Sequence, residues 1–278
     1  MSDARGGFLS LIDAHVHIYN CFDLGDVLDS AFENFNAEAC NFGMQEYFNG
    51  LLLLTEASKY NYFDRMYSYA STGEAIEGAS SNAWRFYHTD ETCSLVARNG
   101  CGRQLTLIAG RQIVSKENLE VLALATRTTF HDGAPIRSLI KAISDSGGIV
   151  VLPWGVGKWV GKRGKIVQSM LSSSNGPTFF LGDNGGRPIF WPRPAMFRIA
   201  ALKGVRVLPG TDPLPLQSEG SRCGSFGFAT RGLVSREHPQ ADIKRLLEER
   251  SAEIVPYGSL ERPLRFVRNQ IRLRLRQR

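Results

Sequence analysis

The residues best suited to chemistry stand at the end of an apolar run near the N-terminus. Residues 8–17 have the pattern of a β-strand, in which Asp13, His15 and His17 occupy alternate positions. Because side chains alternate across a strand, all three face one side. Two imidazoles about 7 Å apart on one strand can bind one metal ion. The alternative is a pair of core histidines held by hydrogen bonds, but the polar residues at the strand end favour a metal site.

Two short motifs carry a resemblance to known hydrolases. Asp-Ala-His-Val-His at residues 13–17 resembles the opening motif of the amidohydrolase superfamily and of the related polymerase-and-histidinol-phosphatase (PHP) hydrolases. Gly-Thr-Asp-Pro at residues 210–213 resembles the Gly-Ser/Thr-Asp motif at the final barrel strand of those families. The resemblance covers roughly residues 8–215. It implies that Asp212 is a metal ligand and the general base for an attacking water.

The middle of the chain resembles the PHP type with altered ligands. Residues 108–113 and 119–122 resemble the paired segments that supply a glutamate and a histidine ligand in that family. Here Gln112 stands in place of the glutamate and Glu120 in place of the histidine. Both keep an oxygen that can coordinate, so the implied ligand set is harder and less typical of zinc.

A third family histidine is replaced as well. Residues 149–155 resemble the strand that ends in a His-Pro ligand motif, but Trp154 occupies the histidine position. A binuclear centre is therefore incomplete, and we expect one divalent ion, Zn, Mn or Fe. The expected ligands are His15, His17, Glu120 and Asp212.

Two loops that follow predicted strands could bind an anion. Residues 154–165 combine glycines, two tryptophans and four cations, among them Lys158 and Arg163, which suits a phosphate or carboxylate. Residues 181–188 place Asp183 as a ligand or catalytic base and Arg187 as an anion-binding residue. The alternatives are a solvated basic loop and a self-capping turn. The expected substrate-binding residues are Trp154, Lys158, Arg163, Arg187 and Arg111.

Apolar runs alternate with helical patterns along most of the chain, as in repeated βα units. About seven strands are predicted, among them residues 105–114 and 149–153, and residues 24–40 and 135–146 have helical patterns. No Gly-x-Gly-x-x-Gly loop follows the first strand, which disfavours a dinucleotide-binding sheet. The expected fold is an α/β protein with a (β/α) barrel, seven-stranded or a distorted TIM-like barrel. Residues 61–102, rich in aromatic side chains, break the alternation and are interpreted as an insertion, for which a lid is one role considered.

Composition is that of an ordinary globular protein. The chain has 278 residues, 43% hydrophobic and 22% charged, and one barrel accounts for this length. We expect a single barrel domain at residues 1–261 and a basic helix or tail at residues 262–278. The five cysteines lack a Cys-x-x-Cys spacing and are expected to be reduced. The sequence shows neither an apolar run of about 20 residues nor a secretion signal, so a cytoplasmic location is expected.

The positive charge is concentrated at the C-terminus. The net charge is +6, and residues 262–278 carry seven arginines and no acid, so the remainder has a net charge of −1. A nucleic-acid-binding domain would carry basic charge on its folded body, so this protein is not expected to bind nucleic acid. Leu264, Val267, Ile271 and Leu275 recur at helical spacing. This helix could meet an acidic membrane or a partner, but a helix docked on the barrel with its arginines in water is favoured.

These observations predict a metal-dependent hydrolase that cleaves a small anionic ester, with a phosphoester favoured over an amide. The alternative is a barrel that has lost hydrolysis and acts as a ligand- or partner-binding protein. Trp154 and Gln112 motivate that alternative because they replace two ligands of the related families.

Overall fold

Two β-sheets carry the core of the molecule. A computed structural model describes residues 8–44, 48–78, 82–173, 178–232, 234–249 and 251–276. The strands are β1 (Leu9–Val16), β2 (Phe48–Leu54), β3 (Ala75–Ile76), β4 (Trp84–His88), β5 (Ser94–Asn99), β6 (Gln104–Ile108), β7 (Gly110–Val114), β8 (Glu120–Leu124), β9 (Ile149–Pro153), β10 (Phe180–Asn184), β11 (Val207–Gly210), β12 (Phe226–Arg231) and β13 (Val255–Gly258). The α-helices are α1 (Leu24–Asn41), α2 (Tyr62–Thr72), α3 (Ile136–Asp145), α4 (Lys162–Ser172), α5 (Ala195–Leu202), α6 (Pro239–Glu248) and α7 (Pro263–Arg276).

Among the residues that the structure describes, the larger sheet has eight strands in the order β13-β12-β1-β2-β6-β5-β4-β3. Its centre is parallel, since β1 pairs with β2 and β2 with β6 in that sense. All eight residues of β1 are buried. A strand covered on both faces favours apolar residues at successive positions, which explains the run Leu51–Leu54 of β2. Strand β1 departs from this pattern because Ser10, Asp13 and His15 are buried polar residues.

The smaller sheet has five strands in the order β11-β10-β9-β8-β7. Strands β9, β10 and β11 are parallel, whereas β8 is antiparallel to both β7 and β9. Helix α3 packs the apolar face formed by Ile136, Leu139, Ile140 and Ile143 against this sheet, as its helical spacing predicts.

The expected (β/α) barrel is therefore wrong: the described strands form two separate sheets rather than one closed barrel. A closed barrel of this kind needs every strand to be parallel to its neighbours. Here β12 runs antiparallel to β1, and β8 runs antiparallel to both β7 and β9. The single strand predicted at residues 105–114 is in fact two strands, β6 and β7. The chain leaves the larger sheet after Ile108 and enters the smaller one at Gly110.

The segment predicted as an insertion, residues 61–102, belongs to the larger sheet. It contains α2 and the strands β3, β4 and β5, and β5 pairs antiparallel with β6. Trp84 is fully buried, and its indole donates a hydrogen bond of 2.9 Å to Asp29. The aromatic residues that suggested a lid are thus largely packing residues of this edge, as Trp84 and Phe86 show.

The C-terminal helix α7 lies against the rest of the molecule through polar side chains. Arg265 and Asn269 both donate to the buried carboxylate of Glu219, at 2.9 and 3.0 Å. The helix is docked, and Arg268, Arg272 and Arg274 are exposed as expected, but Leu264 and Ile271 also face outward. The proposed division at residue 261 stays a prediction. Within the described residues, no helix is both long and apolar enough to cross a membrane.

Candidate metal centre

Four side chains from the two sheets converge where the sheets meet. His15 lies on β1 and His17 follows directly after it, whereas Gln112 lies at the middle of β7 and Asp212 follows β11. Both histidines are buried, with 3% and 4% of their surfaces exposed. The larger sheet thus supplies two imidazoles, and the smaller sheet supplies two oxygen donors.

The separations between these atoms suit a shared metal ion. The two Nε2 atoms of His15 and His17 lie 3.1 Å apart. Gln112 Oε1 lies 3.3 and 3.2 Å from them, and Asp212 Oδ1 lies 3.5 Å from each. Three donor atoms with such separations can all lie about 2.1 Å from one point, which is the length of a bond from zinc to nitrogen or oxygen. His15, His17 and Asp212 also form a three-residue group with the spacing of metal ligands.

The chemistry of the donors fits a cation as well. Carboxylate and amide oxygens only accept hydrogen bonds, and a neutral imidazole offers one lone pair. Burial and the neighbouring His15 lower the pKa of His17 to about 4, despite the opposing effect of Asp212. His17 is therefore uncharged at neutral pH and can present a lone pair to an ion.

Asp212 is held in an orientation and a charge state that suit a ligand. Burial alone would raise its pKa, but His15, His17, Lys158 and a hydrogen bond from Asn184 together lower it below the usual 3.8. Asn184 donates to Oδ2, which leaves Oδ1 directed at the histidines. The backbone at Asp212 is left-handed, with φ of 45°, and its amide donates to the His15 carbonyl at 2.8 Å.

Asp13 supports the cluster without joining it. Its Oδ1 accepts from the Thr211 amide at 2.8 Å, and its Oδ2 accepts from the Thr211 hydroxyl at 2.5 Å and the Gly224 amide at 2.9 Å. Burial raises the pKa of Asp13 to about 6, although these hydrogen bonds oppose the rise. Asp13 therefore fixes the residue that immediately precedes Asp212.

Gly210 permits the close contact between β11 and β1. A Cβ at this position would lie 2.4 Å from the backbone nitrogen of His15 and 2.5 Å from its Cβ. Such distances are far inside van der Waals contact, so only glycine fits without a shift of one strand.

Glu120, an expected ligand, is not among the converging atoms. Its carboxylate instead pairs with Lys158. The register of the β7–β8 hairpin explains this, because Gln112 lies opposite Leu122 and Glu120 lies opposite Val114, two residues farther along. The sequence indicated that Gln112 keeps an oxygen that can coordinate but did not place it among the four expected ligands, and its convergence with the histidines depends on this pairing.

The other predicted site residues are engaged elsewhere. Asp183 and Arg187 form a two-point ion pair at 3.0 and 2.7 Å, and both are largely buried. Arg111 donates to the Tyr60 carbonyl at 2.8 Å and pairs with Glu56, and Arg163 donates to the Gly157 carbonyl at 2.9 Å. The structure does not bring these residues to the cluster, and their roles in catalysis or substrate binding stay predictions.

A cleft of about 220 Å³ opens beside Asp212. Trp154, Lys158 and Asn184 line it, and α7 contributes Phe266, Asn269 and Gln270. The sequence indicated Trp154 and Lys158 but not the α7 residues, because no local pattern reveals which helix covers the site. A larger groove of about 650 Å³, lined in part by Phe180 and Arg206, includes none of the clustered residues.

An aromatic group closes another side of the cluster. The ring of Tyr19 stacks on that of His17 with centroids 5.5 Å apart, and Tyr60 meets Tyr19 edge-on at 5.3 Å. Burial and the nearby Asp212 raise the pKa of Tyr19, so its phenol stays protonated. Sequence reasoning missed Tyr19, although it stands at the next alternate position after His17.

Solved structures share this fold at low sequence identity. PsfC from Pseudomonas syringae PB-5123 has a TM-score of 0.53 and 13% identity, with 95% of this chain and 97% of that chain covered. The lesion-specific endonuclease PfuEndoQ from Pyrococcus furiosus has a TM-score of 0.50 and 10% identity, with 90% of this chain and 59% of the endonuclease covered. The sequence matches no protein-family model and no curated protein. At these identities the similarity shows the fold.

Proposed function

We propose that the protein is a metal-dependent hydrolase that acts on a small anionic ester, with a phosphoester favoured over an amide. The convergence of His15, His17 and Asp212 beside a cleft that contains Lys158 carries this proposal. A shared fold with an endonuclease supports it, because that protein's named activity is a phosphoester hydrolysis. The motif resemblance to PHP hydrolases points to the same class.

His15, His17 and Asp212 are the strong donors of the proposed site, and Gln112 adds a neutral amide oxygen. A divalent ion held by these residues would supply Lewis-acid chemistry, making a water more acidic and polarising a phosphoryl or carbonyl oxygen. The ionised carboxylate of Asp212 would offset part of the charge of the ion, and the imidazoles would add neutral lone pairs.

The cleft residues supply orientation and proton transfer. Asp212, which is ionised at neutral pH, accepts the proton of the attacking water at its carboxylate. Lys158 places a cation at the cleft and attracts an anionic substrate, while Glu120 fixes its position in the free protein. Trp154, 6% exposed, narrows the cleft and excludes water.

One observation favours the alternative of a ligand- or partner-binding protein. Gln112 Oε1 lies within 3.3 Å of both imidazole nitrogens, so the protein itself could supply a fourth donor, and sites in which the protein supplies all four donors are typical of structural rather than catalytic zinc. The amide is the weakest of the four donors, and a site in which water took its place would keep the open position that hydrolysis needs. The two functions would therefore differ in whether Gln112 or a water molecule completes the site.

Elemental analysis and a phosphoester panel with added Mn, Zn or Fe test the proposal. We expect near-stoichiometric metal in the purified protein and hydrolysis that His17→Ala abolishes. His131→Ala is the matched control, since that histidine is exposed in a loop. Metal-free protein with no thermal stabilisation by these ions rejects the metal site. Bound metal with no turnover on phosphoesters, carboxyl esters or amides rejects the hydrolase and leaves the binding protein.

A further inference from the structure

The helix α7 presents its apolar side to solvent. Leu264, Val267, Ile271 and Leu275 are 88%, 51%, 54% and 66% exposed. They follow one another at intervals of three or four residues and so form one continuous stripe. A shallow apolar groove of about 480 Å³ runs between Leu264, Val267 and Ile271 and the stems of Arg268 and Arg272.

The opposite side of the helix fixes this orientation. Glu219 is fully buried and accepts from Arg265, Asn269 and Arg222. Arg222 also pairs with Glu261 at 3.1 Å, just before the helix begins. Rotation of α7 to bury its apolar stripe would leave the Glu219 carboxylate without two of its partners, which is costly for a buried charge. The contacts of Glu219 therefore hold α7 with its apolar stripe facing solvent.

A neighbouring loop extends the same apolar surface. Ile189 and Phe190 are each 58% exposed, and the ring of Phe190 meets that of Phe266 on α7 edge-on at 6.1 Å. The Ile189 amide donates to the Glu261 carbonyl at 3.0 Å, which ties this loop to the start of the helix. Aromatic and aliphatic side chains beside a basic amphipathic helix are typical of proteins that insert into a membrane interface.

We propose that α7 and the adjoining loop bind the surface of an anionic lipid bilayer. The apolar stripe would enter the interface, while exposed Arg268, Arg272 and Arg274 would contact lipid phosphates and headgroup acids. The positive charge of α7 favours an anionic membrane over a second copy of the chain as the binding partner of the stripe. Residues 262–278 contain no acid, so two stripes packed together would bring arginines against arginines.

Vesicle sedimentation of the full chain tests this inference. Phosphatidylcholine vesicles with added phosphatidylserine are compared with phosphatidylcholine alone. We expect binding to the anionic vesicles that weakens as salt rises. The pair Val267→Glu with Ile271→Glu should reduce partitioning at least tenfold, and Arg268→Gln with Arg272→Gln should reduce it about twentyfold.

Helix α5 offers matched controls. Leu202→Glu changes an 81% exposed apolar residue, and Arg198→Gln removes an exposed cation, so neither should alter partitioning. Unchanged thermal unfolding shows that each variant is folded. Lack of preference for anionic vesicles in the unaltered protein overturns the inference, as does equal loss in the α5 controls. A dimer in sedimentation velocity that the Val267 and Ile271 pair dissolves, without lipid binding, assigns the stripe to a second copy instead.

Discussion

The carboxylate of Asp13 accepts two hydrogen bonds from Thr211, one from the backbone amide and one from the hydroxyl. This contact joins β1, which carries His15, to the residue before Asp212. The position of Asp212 relative to His15, two candidate metal ligands, therefore depends on a residue that is not itself a candidate ligand. Residues of this kind typically affect metal affinity by 10- to 100-fold.

Asp13→Asn should weaken metal binding about tenfold or more, because an amide nitrogen cannot accept the hydrogen bonds that one carboxylate oxygen accepts now. The unpaired groups should also lower the free energy of unfolding by roughly 2 kcal/mol. Metal titration and denaturant unfolding measure the two effects. Thr211→Ser keeps the hydroxyl and serves as control. Unaltered affinity in Asp13→Asn would show that Asp13 does not position Asp212.

Gly210→Ala should force β11 away from His15, since the added methyl would lie 2.4 Å from the His15 nitrogen. A loss of roughly 1–3 kcal/mol in the free energy of unfolding is expected, together with weaker metal binding. Gly100→Ala is the matched control, because its nearest neighbour would be 3.6 Å away. Equal stability of the two variants would contradict the close approach of these strands.

Gln112→Glu should strengthen metal binding by about tenfold, since a carboxylate is a stronger donor than an amide for a divalent ion. Without metal, the new charge would lie near Asp212, and the repulsion should destabilise the metal-free protein. Calorimetric titration with Zn and Mn measures the first effect, and thermal unfolding in chelator measures the second. Gln112→Ala should weaken binding. If neither variant changed the affinity, Gln112 would not be a ligand.

Lys158→Gln should raise KM for an anionic ester and leave the metal content unchanged, since Lys158 lines the cleft but donates no metal ligand. A rise of about tenfold is expected for the loss of one charge-assisted contact. Lys165→Gln removes an exposed cation of α4 and is the control. A fall in kcat at constant KM would instead assign Lys158 to the transition state, and no effect on either would remove it from the site.

Glu219→Gln should remove a contribution to the free energy of unfolding that depends on pH and that comes from the contact between Glu219 and α7. Burial alone would raise the pKa of Glu219, but Arg222 and Arg265 lower it below the usual 4.5. A lowered pKa in the folded state stabilises the protein above about pH 4.5, and this contribution disappears as the pH falls through the folded-state value. The variant should lose about 3 kcal/mol at pH 7.

Denaturant unfolding at a series of pH values measures this effect. The difference between Glu219→Gln and the unaltered protein should narrow progressively below pH 4.5. Glu253→Gln, at an exposed position, should show no such pH dependence. A difference that stayed constant down to acid pH would show that packing, rather than charge, attaches the helix.

Local patterns predicted the elements better than their assembly. The strand β9 occupies the predicted residues 149–153, and α1 and α3 follow their apolar spacing closely. Strand direction was not predictable, because a buried strand has the same apolar run whether its neighbours are parallel or antiparallel. The break between Ile108 and Gly110 was equally hidden within a continuous β-like pattern. The barrel expectation failed on these two points.

The candidate site shows the same division. His15 and His17 share a strand, so their proximity follows from alternation, and Asp212 was indicated by a motif resemblance. Glu120 was expected as a ligand but lies away from the cluster, whereas Gln112 lies in it. This depends on the register of the β7–β8 hairpin, which could not be predicted from the sequence. The sequence left open which side of α7 faces outward, because Glu219, which fixes the helix, lies 46 residues from Arg265 and is recognisable as its partner only after folding.

The division of donors between the two sheets has a mechanical consequence. An ion held by His15 and His17 on one side and by Gln112 and Asp212 on the other would cross-link β1 to parts of the chain about 100 and about 200 residues away. All five cysteines are free thiols, so such an ion would be a cross-link that no disulfide provides. Removal of the ion would weaken the contact between the two sheets before either sheet lost its own hydrogen bonds. Hydrogen exchange of the backbone amides should therefore increase first along β1 and β11.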